Sequence, residues 1–254
     1  MILPGVIFDM DGLLLDTEKV CLESFVETRR IFALSDSPDT FLRCVGLRGQ
    51  EPARIIGDSL GDNVSFDDFS REWDRRIDAA LGREIPAKPG ALQLVQMLAD
   101  KGYSLAVATS TETDRACQQL GSSGFLEHFE CVIGGDKVIR HKPDPEVYYK
   151  AADRLGYQAR NCIAFEDSET GTRAAIASGA QTVQVPDLIA PSDELHAMGH
   201  VIASGIIEGA IAVALLPRKT YPEGLRSPAL RTPDWKTMLH VATKDRFREA
   251  ATQR

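Results

Sequence analysis

Much of what usually announces a protein's role is missing from this chain. There is no excess of basic charge: the formal net charge is −8, which argues against a general nucleic-acid binder, because such proteins carry a basic footprint. The cysteines are few and scattered (Cys21, Cys44, Cys117, Cys131, Cys162) and never spaced Cys-x-x-Cys. Free thiols in a reducing cytoplasm are therefore expected, rather than a disulfide framework or a zinc site. The start of the chain lacks a basic region followed by an apolar core, so no secretion signal is expected. No apolar run reaches the roughly 20 residues of a membrane span. The longest, Val201 to Leu216, is interrupted by Glu208 and reads as a buried strand and helix. Internal repeats and low-complexity tracts are absent. The one glycine pair, Gly134-Gly135, lacks dinucleotide or P-loop spacing, and His196 with His200 lacks the Glu of a His-Glu-x-x-His zinc motif.

What remains is a globular composition, 43% hydrophobic and 26% charged over 254 residues, long enough for one α/β domain with a small insert. The N-terminal Val6-Ile7-Phe8 reads as a buried strand that stops at two acids, Asp9 and Asp11, with Gly12 giving room to turn. In an open α/β sheet, ligands bind beyond the carboxyl ends of strands, which makes these acids candidates for metal binding and chemistry. An ordinary turn is the alternative, since Asp and Gly favour turns.

The pattern then becomes helical. Val20, Phe25, Val26 and Ile31 mark one amphipathic helix, and further helical stretches are expected at about 50–60 and 66–82, with Ser35 to Pro38 as a break. Phe41, Phe66, Phe69 and Trp73 fall at helical spacings and are expected to form that block's own core. From Lys88-Pro89-Gly90 onward, strands alternate with helices: a strand over 103–108, then strands at about 131–133, 162–165 and 182–185, and a final strand and helix within 200–216. This alternation predicts an α/β fold, a Rossmann-like parallel sheet with helices on both faces, plus an inserted helical block. The expected domains are a core of 1–16 and 87–217, a helical cap of 17–86 hinged near Leu15–Thr17 and Pro86–Pro89, and an extension of 218–254. The extension is broken by Pro222, Pro228 and Pro233, with a short helix expected around 236–250.

Three later strand ends carry chemistry-bearing residues. Thr109-Ser110-Thr111 offers hydroxyls to a phosphate, or a helix N-cap. Lys142 precedes Pro143, which restrains its backbone, and would neutralise charge there. Glu166-Asp167 ends an apolar strand, and such acids also suit the start of a helix. Hard cations such as Mg2+ take oxygen ligands, which suits Asp9, the Asp11 carbonyl and Asp167.

Asp9-Met10-Asp11-Gly12-Leu13-Leu14-Leu15-Asp16-Thr17-Glu18, followed in order by Thr109, Lys142-Pro143 and Glu166-Asp167, resembles the four motifs of the haloacid dehalogenase superfamily, in its capped phosphatase and β-phosphoglucomutase-like branch. The resemblance covers roughly residues 1–216. It implies Asp9 as nucleophile, Asp11 as acid and base, and Thr109 and Lys142 as further catalytic residues. Mg2+ would be held by Asp9, Asp11, Asp167 and Glu166, with Thr17, Ser110 and the cap-loop Arg48 as substrate contacts. Arg43, Lys19, Arg75 and Arg76 are further cap candidates, although a solvated charged face explains most of them.

Asp11 points to phosphate monoesters, since dehalogenase members lack that acid. Cys21 stands where sugar phosphomutases carry a His. The expected function is thus a cytoplasmic, monomeric, Mg2+-dependent phosphatase acting on a small phosphorylated metabolite, with neither nucleic acid nor membrane as partner. A sugar phosphomutase is the near alternative. A phospho-Asp signalling receiver or a non-catalytic binding protein is the alternative from another class.

Overall fold

The structure, a computed structural model, describes residues 3–45, 50–82 and 85–218. The extension beyond, the helix expected near 236–250, and Arg48 lie outside the described residues. The described strands are β1 (Gly5–Phe8), β2 (Leu105–Ala108), β3 (Cys131–Ile133), β4 (Cys162–Glu166), β5 (Gln181–Gln184) and β6 (Val201–Ile202). They pair in parallel as one six-stranded sheet in the order β3-β2-β1-β4-β5-β6. The chain runs outward from β1 through β2 to β3, then crosses to β4 on the other side of β1. That crossover opens a crevice beyond the carboxyl ends of β1 and β4, and Asp9 and Glu166-Asp167 lie there.

Both faces of the sheet are covered, which is why its strands read as nearly continuous apolar runs. Val6, Phe8, Leu105, Val107, Ile163 and Phe165 point to one face. There they meet α5 (Ala91–Asp100), α6 (Thr113–Ser122) and α10 (Ile206–Ala212). Ile7, Ala106, Ala108 and Ala164 point to the other, against α7 (Glu146–Arg154) and α8 (Glu169–Ala177). The small side chains on this second face let α7 sit close enough to bury the whole of Tyr148.

Between β1 and α5 lie α1 (Thr17–Ile31), α2 (Pro38–Leu42), α3 (Glu51–Asp58) and α4 (Phe66–Leu81). They enclose an apolar cluster of their own, in which Phe25 makes edge contacts with Phe69 and Trp73. The aromatic core expected of this block is present. The break expected at Ser35–Pro38 separates α1 from α2, a short helix not anticipated in the sequence, in which Pro38 sits in the first turn, where its missing N–H costs nothing. The helical block joins the core through two adjacent strands of chain: Asp16 N donates to Pro86 O (2.9 Å) and Lys88 N to Leu14 O (2.9 Å). A short helix, α9 (Asp193–His196), follows β5. No helix among the described residues is long and apolar enough to cross a membrane.

Candidate active site

The strand ends converge on a cavity of about 500 Å³. Asp9, Asp11, Thr109, Ser110, Lys142 and Asp167 line it on the core side, with Glu18 and Val45 from the helical block and the loop from Asp187 to Pro191. Lys142 is buried at its base. Its Nζ donates to Asp9 Oδ1 (2.5 Å), Glu166 Oε1 (2.6 Å) and Ala108 O (3.0 Å), which uses all three ammonium protons. Burial alone would lower the Lys142 pKa, but the carboxylates of Asp9 and Glu166 outweigh it and hold the side chain charged.

Glu166 is fully buried and fully engaged. Besides Lys142, its Oε1 accepts from the Tyr148 hydroxyl (2.5 Å), and its Oε2 accepts from Ser168 Oγ (3.2 Å). A side chain at Gly171 would overlap both carboxylate oxygens, so α8 can approach β4 only with glycine there. Glu166 thus fixes Lys142, and Lys142 fixes Asp9. Tyr148 was not visible in the sequence as a site residue, because it sits mid-helix at an ordinary core position.

Asp11 is held differently. Its Oδ2 accepts from Thr111 Oγ1 (2.8 Å) and Thr109 Oγ1 (3.3 Å), while Thr109 Oγ1 itself accepts from the Thr111 N–H (3.1 Å). The hydroxyls after β2 therefore position the second acid instead of capping α6, whose N-cap is Glu112. Gly12, with φ of +79°, turns the chain immediately afterwards, and its N–H donates to Leu15 O (2.9 Å).

One oxygen each from Asp9, Glu166 and Asp167 lie within 4.8 Å of one another, all three residues buried or nearly so. Burial pushes the Asp9 carboxyl well up, with Glu166 and Asp11 adding to the rise and Lys142 opposing it. Asp167 is pushed up by burial and then by Asp9, Glu166 and Asp187. A single lysine does not balance so much negative charge. The donors are hard oxygens, the charge calls for a cation, and the set fits a small divalent ion such as Mg2+.

The remaining expected residues divide. Ser110 is exposed and lines the cavity; Thr17 opens α1 but does not line it, and its hydroxyl is buried without a partner. Val45, the last described residue before the loop carrying Arg48, reaches the cavity. Three further groups escaped the sequence reading. Glu18 is pushed up to about 7 by burial and by the charges of Asp187 and Asp11. Asp187 and Lys88 form an ion pair that also includes Asp16, Lys88 Nζ lying 3.2 Å from Asp16 Oδ1. The strand-end reasoning applied to β1, β2 and β4 would have found Asp187 had it been carried on to β5. His200 Nε2 bonds Gln184 Oε1 (2.9 Å), and among the described residues the histidine pair is joined by no third metal-ligating side chain.

Residues 6–185 match the family model described as haloacid dehalogenase-like hydrolase. A phosphorylated carbohydrates phosphatase of Thermotoga maritima is 28% identical over 179 residues, 70% of this chain and 83% of that protein. The fructose-1-phosphate phosphatase YqaB of Escherichia coli is 28% identical over 181 residues, 71% of this chain and 95% of its own length. Among solved structures, a HAD family hydrolase from Deinococcus radiodurans, with bound phosphate and sodium, superposes with a TM-score of 0.73 at 26% identity. That alignment covers 84% of this chain and 96% of the other.

Proposed function

This chain belongs to the haloacid dehalogenase-like hydrolases and acts on phosphate monoesters, and we propose that it uses Mg2+ and a phosphorylated Asp9 to hydrolyse a small phosphorylated metabolite, a sugar phosphate foremost. The observation that carries the reading is the pair of differently held acids. Asp9 is pinned by a lysine that cannot turn away, and Asp11, two residues on, is held by hydroxyls.

Asp9 and Asp167 would hold the cation, with Asp11 contributing through its main-chain carbonyl. Glu166, whose oxygens already accept from Lys142, Tyr148 and Ser168, would orient the lysine instead. When bound, the cation offsets the charge of the phosphoryl group so that an anionic nucleophile can approach it. Asp9 attacks phosphorus with one carboxylate oxygen, and the phosphorus–oxygen bond of the ester breaks opposite to it. Asp11 gives its proton to the departing alkoxide. It then takes a proton from the water that attacks the phosphoaspartate, which returns Asp9 as carboxylate and releases phosphate. Lys142 holds its charge beside the transferring group throughout. Thr109 and Ser110 would bind phosphate oxygens, and helices α1–α4 would act as the cap, presenting Glu18, Val45 and the Arg48 loop to the leaving group and excluding water.

Relatives named for phosphorylated carbohydrates and fructose 1-phosphate support the substrate class, and a cavity of about 500 Å³ suits a molecule of that size. The mutase reading is not favoured. Cys21 stands in place of the mutase histidine, and burial, with the charges of Glu18 and Asp11, pushes its thiol up to about 12, so it stays protonated.

The test is phosphate release from sugar phosphates, nucleotides and an aryl phosphate, with and without Mg2+. Metal-dependent release that Asp9→Asn abolishes supports the reading. Isomerisation of a sugar phosphate without phosphate release would replace it with the mutase.

A further inference from the structure

We propose that Asp187, which lies outside the four motifs, is a positioning residue for the metal: its Oδ2 accepts a hydrogen bond from a water on the bound divalent cation. The inference rests on the metal-dependent reading above and extends it to a residue twenty positions beyond Asp167.

Asp187 follows β5, the strand next to β4, and its two oxygens differ. Oδ1 is paired with Lys88. Oδ2 is buried and has no hydrogen-bond partner. A buried carboxylate oxygen is seldom left without a donor, and the exceptions cluster where a ligand or ion supplies one. The side chain is only 11% exposed and lines the cavity beside Asp167.

The position of Oδ2 indicates what supplies the donor. A Cβ built on Gly12 would overlap Asp167 Oδ2 and would lie 3.2 Å from Asp187 Oδ2. The two oxygens therefore lie close together over the same side of Gly12, where a side chain would intrude on both. A small divalent cation on Asp167 keeps several of its waters, at about 2.1 Å from the metal, and each water donates over a further distance of about 2.8 Å. A water held this way would span a gap as short as the one between Asp167 and Asp187 Oδ2 beside Gly12.

The loop is placed so that Asp187 stays put. Its neighbour Leu188 is buried in the apolar cluster of the helical block, beside residues such as Leu22, Phe25 and Phe69. Lys88, on the return strand of the hinge, grips Asp187 and Asp16 together. The water-binding oxygen is thus anchored on one side by the hinge and on the other by the proposed cap.

The experiment measures Mn2+ binding to the full chain from the electron paramagnetic resonance signal of the free ion, together with water proton relaxation by the bound ion. Asp187→Asn should weaken Mn2+ binding by about 10- to 100-fold and change the relaxation enhancement, because the bound water loses its acceptor. Lys88→Met removes one anchor of the loop but keeps Oδ2 itself, so it should weaken Mn2+ binding clearly less than Asp187→Asn does. The double variant Lys88→Met/Asp187→Asn leaves no orphaned lysine, and it should repeat the loss seen with Asp187→Asn even where the single variant folds poorly.

Unchanged Mn2+ binding and relaxation in Asp187→Asn would overturn the inference alone. An equal loss in Lys88→Met would overturn it as well, since the ion pair would then be the cause. Unaltered Mn2+ binding with a raised KM for sugar phosphates would assign the oxygen to a substrate hydroxyl instead. Failure of the wild type to bind Mn2+ would remove the metal-dependent reading and this inference with it.

Discussion

Two ion-pair networks in this molecule have the same bond lengths and opposite meanings. At the strand ends, Lys142 lies 2.5 Å from Asp9 and 2.6 Å from Glu166, with 4% of the lysine side chain exposed. On α4, Arg71 lies 2.5 Å from Asp68 with 76% of its side chain exposed, and Arg75 lies 2.7 Å from Glu72 with 64% exposed. Water screens the second set, and its members lose side-chain freedom by pairing, so such pairs contribute roughly 0–1 kcal/mol. The first set has been taken out of water, and its carboxylates are tolerable only while the lysine is present. Distance therefore says little about energy here; burial separates the network at the proposed site from the one on the helix surface.

The largest effect expected on either side of this comparison is on activity. Asp9→Asn removes the proposed nucleophile, and phosphate release should fall by at least about 10³-fold, in line with nucleophile deletions in covalent mechanisms. The variant should remain folded, because Lys142 keeps Glu166 and one carboxylate leaves a crowded group. Circular dichroism beside the phosphate assay checks both halves; an active Asp9→Asn enzyme would remove the covalent mechanism.

Lys142→Met probes the same network from its cationic side. It leaves Asp9 and Glu166 buried without their counter-charge, a change that costs about 3–5 kcal/mol when a buried pair is broken. Denaturant unfolding in EDTA should show that loss, and activity should fall with it. A Lys142→Met protein as stable as wild type would mean that the buried network is not what the geometry indicates.

A third effect turns on pH and metal together. In the cation-free protein, burial raises the carboxyls of Asp9 and Asp167, and Glu18 is raised to about 7. Their folded-state values exceed those of the unfolded chain, so the folded protein binds more protons and its stability falls as pH rises from the ordinary carboxyl range to about 7. Mg2+ requires ionised carboxylates, so its gain in thermal stability should be larger at pH 8 than at pH 5. Glu18→Gln should stabilise the EDTA-treated protein at pH 8 by about 2 kcal/mol and do little at pH 4, which unfolding at the two pH values would measure. An equal gain at both pH values would detach Glu18 from the acidic cluster.

The same contrast explains how much was legible beforehand. A strand that ends in acids leaves a mark in sequence, because an apolar run has to stop abruptly; hence Asp9, Asp11 and Glu166-Asp167 stood out as candidates, and β1 and β4 with them. Thr109 and Lys142 became site candidates through their order along the chain. Residues that serve the site from inside a helix leave no such mark. Tyr148 occupies a core position of α7 like any large apolar residue, and only the fold reveals that its hydroxyl meets Glu166. Asp187 and Lys88 meet across nearly a hundred residues, a relation that periodicity cannot carry. Helix α2 was hidden because Pro38, a breaker in most contexts, is tolerated in a first turn.

The smallest effect tests the other end of the comparison. Arg71 sits on α4 with its guanidinium in solvent, bonded to Asp68 Oδ1 three residues earlier and to the main-chain carbonyl of Asp67 (3.3 Å). Replacing it by Ala removes a short, well-aligned ion pair, yet alanine is a better helix former and Asp68 keeps its favourable place in the first turn, where Ser65 Oγ also donates to it (2.7 Å). The opposing terms should leave Arg71→Ala within about 0.5 kcal/mol of wild type in denaturant unfolding, with phosphate release unchanged. A loss approaching that of Lys142→Met would show that the α4 pairs are coupled to the interior after all, through Arg76 and its 2.8 Å bridge to Glu27 on α1, and burial would no longer be enough to tell the two networks apart.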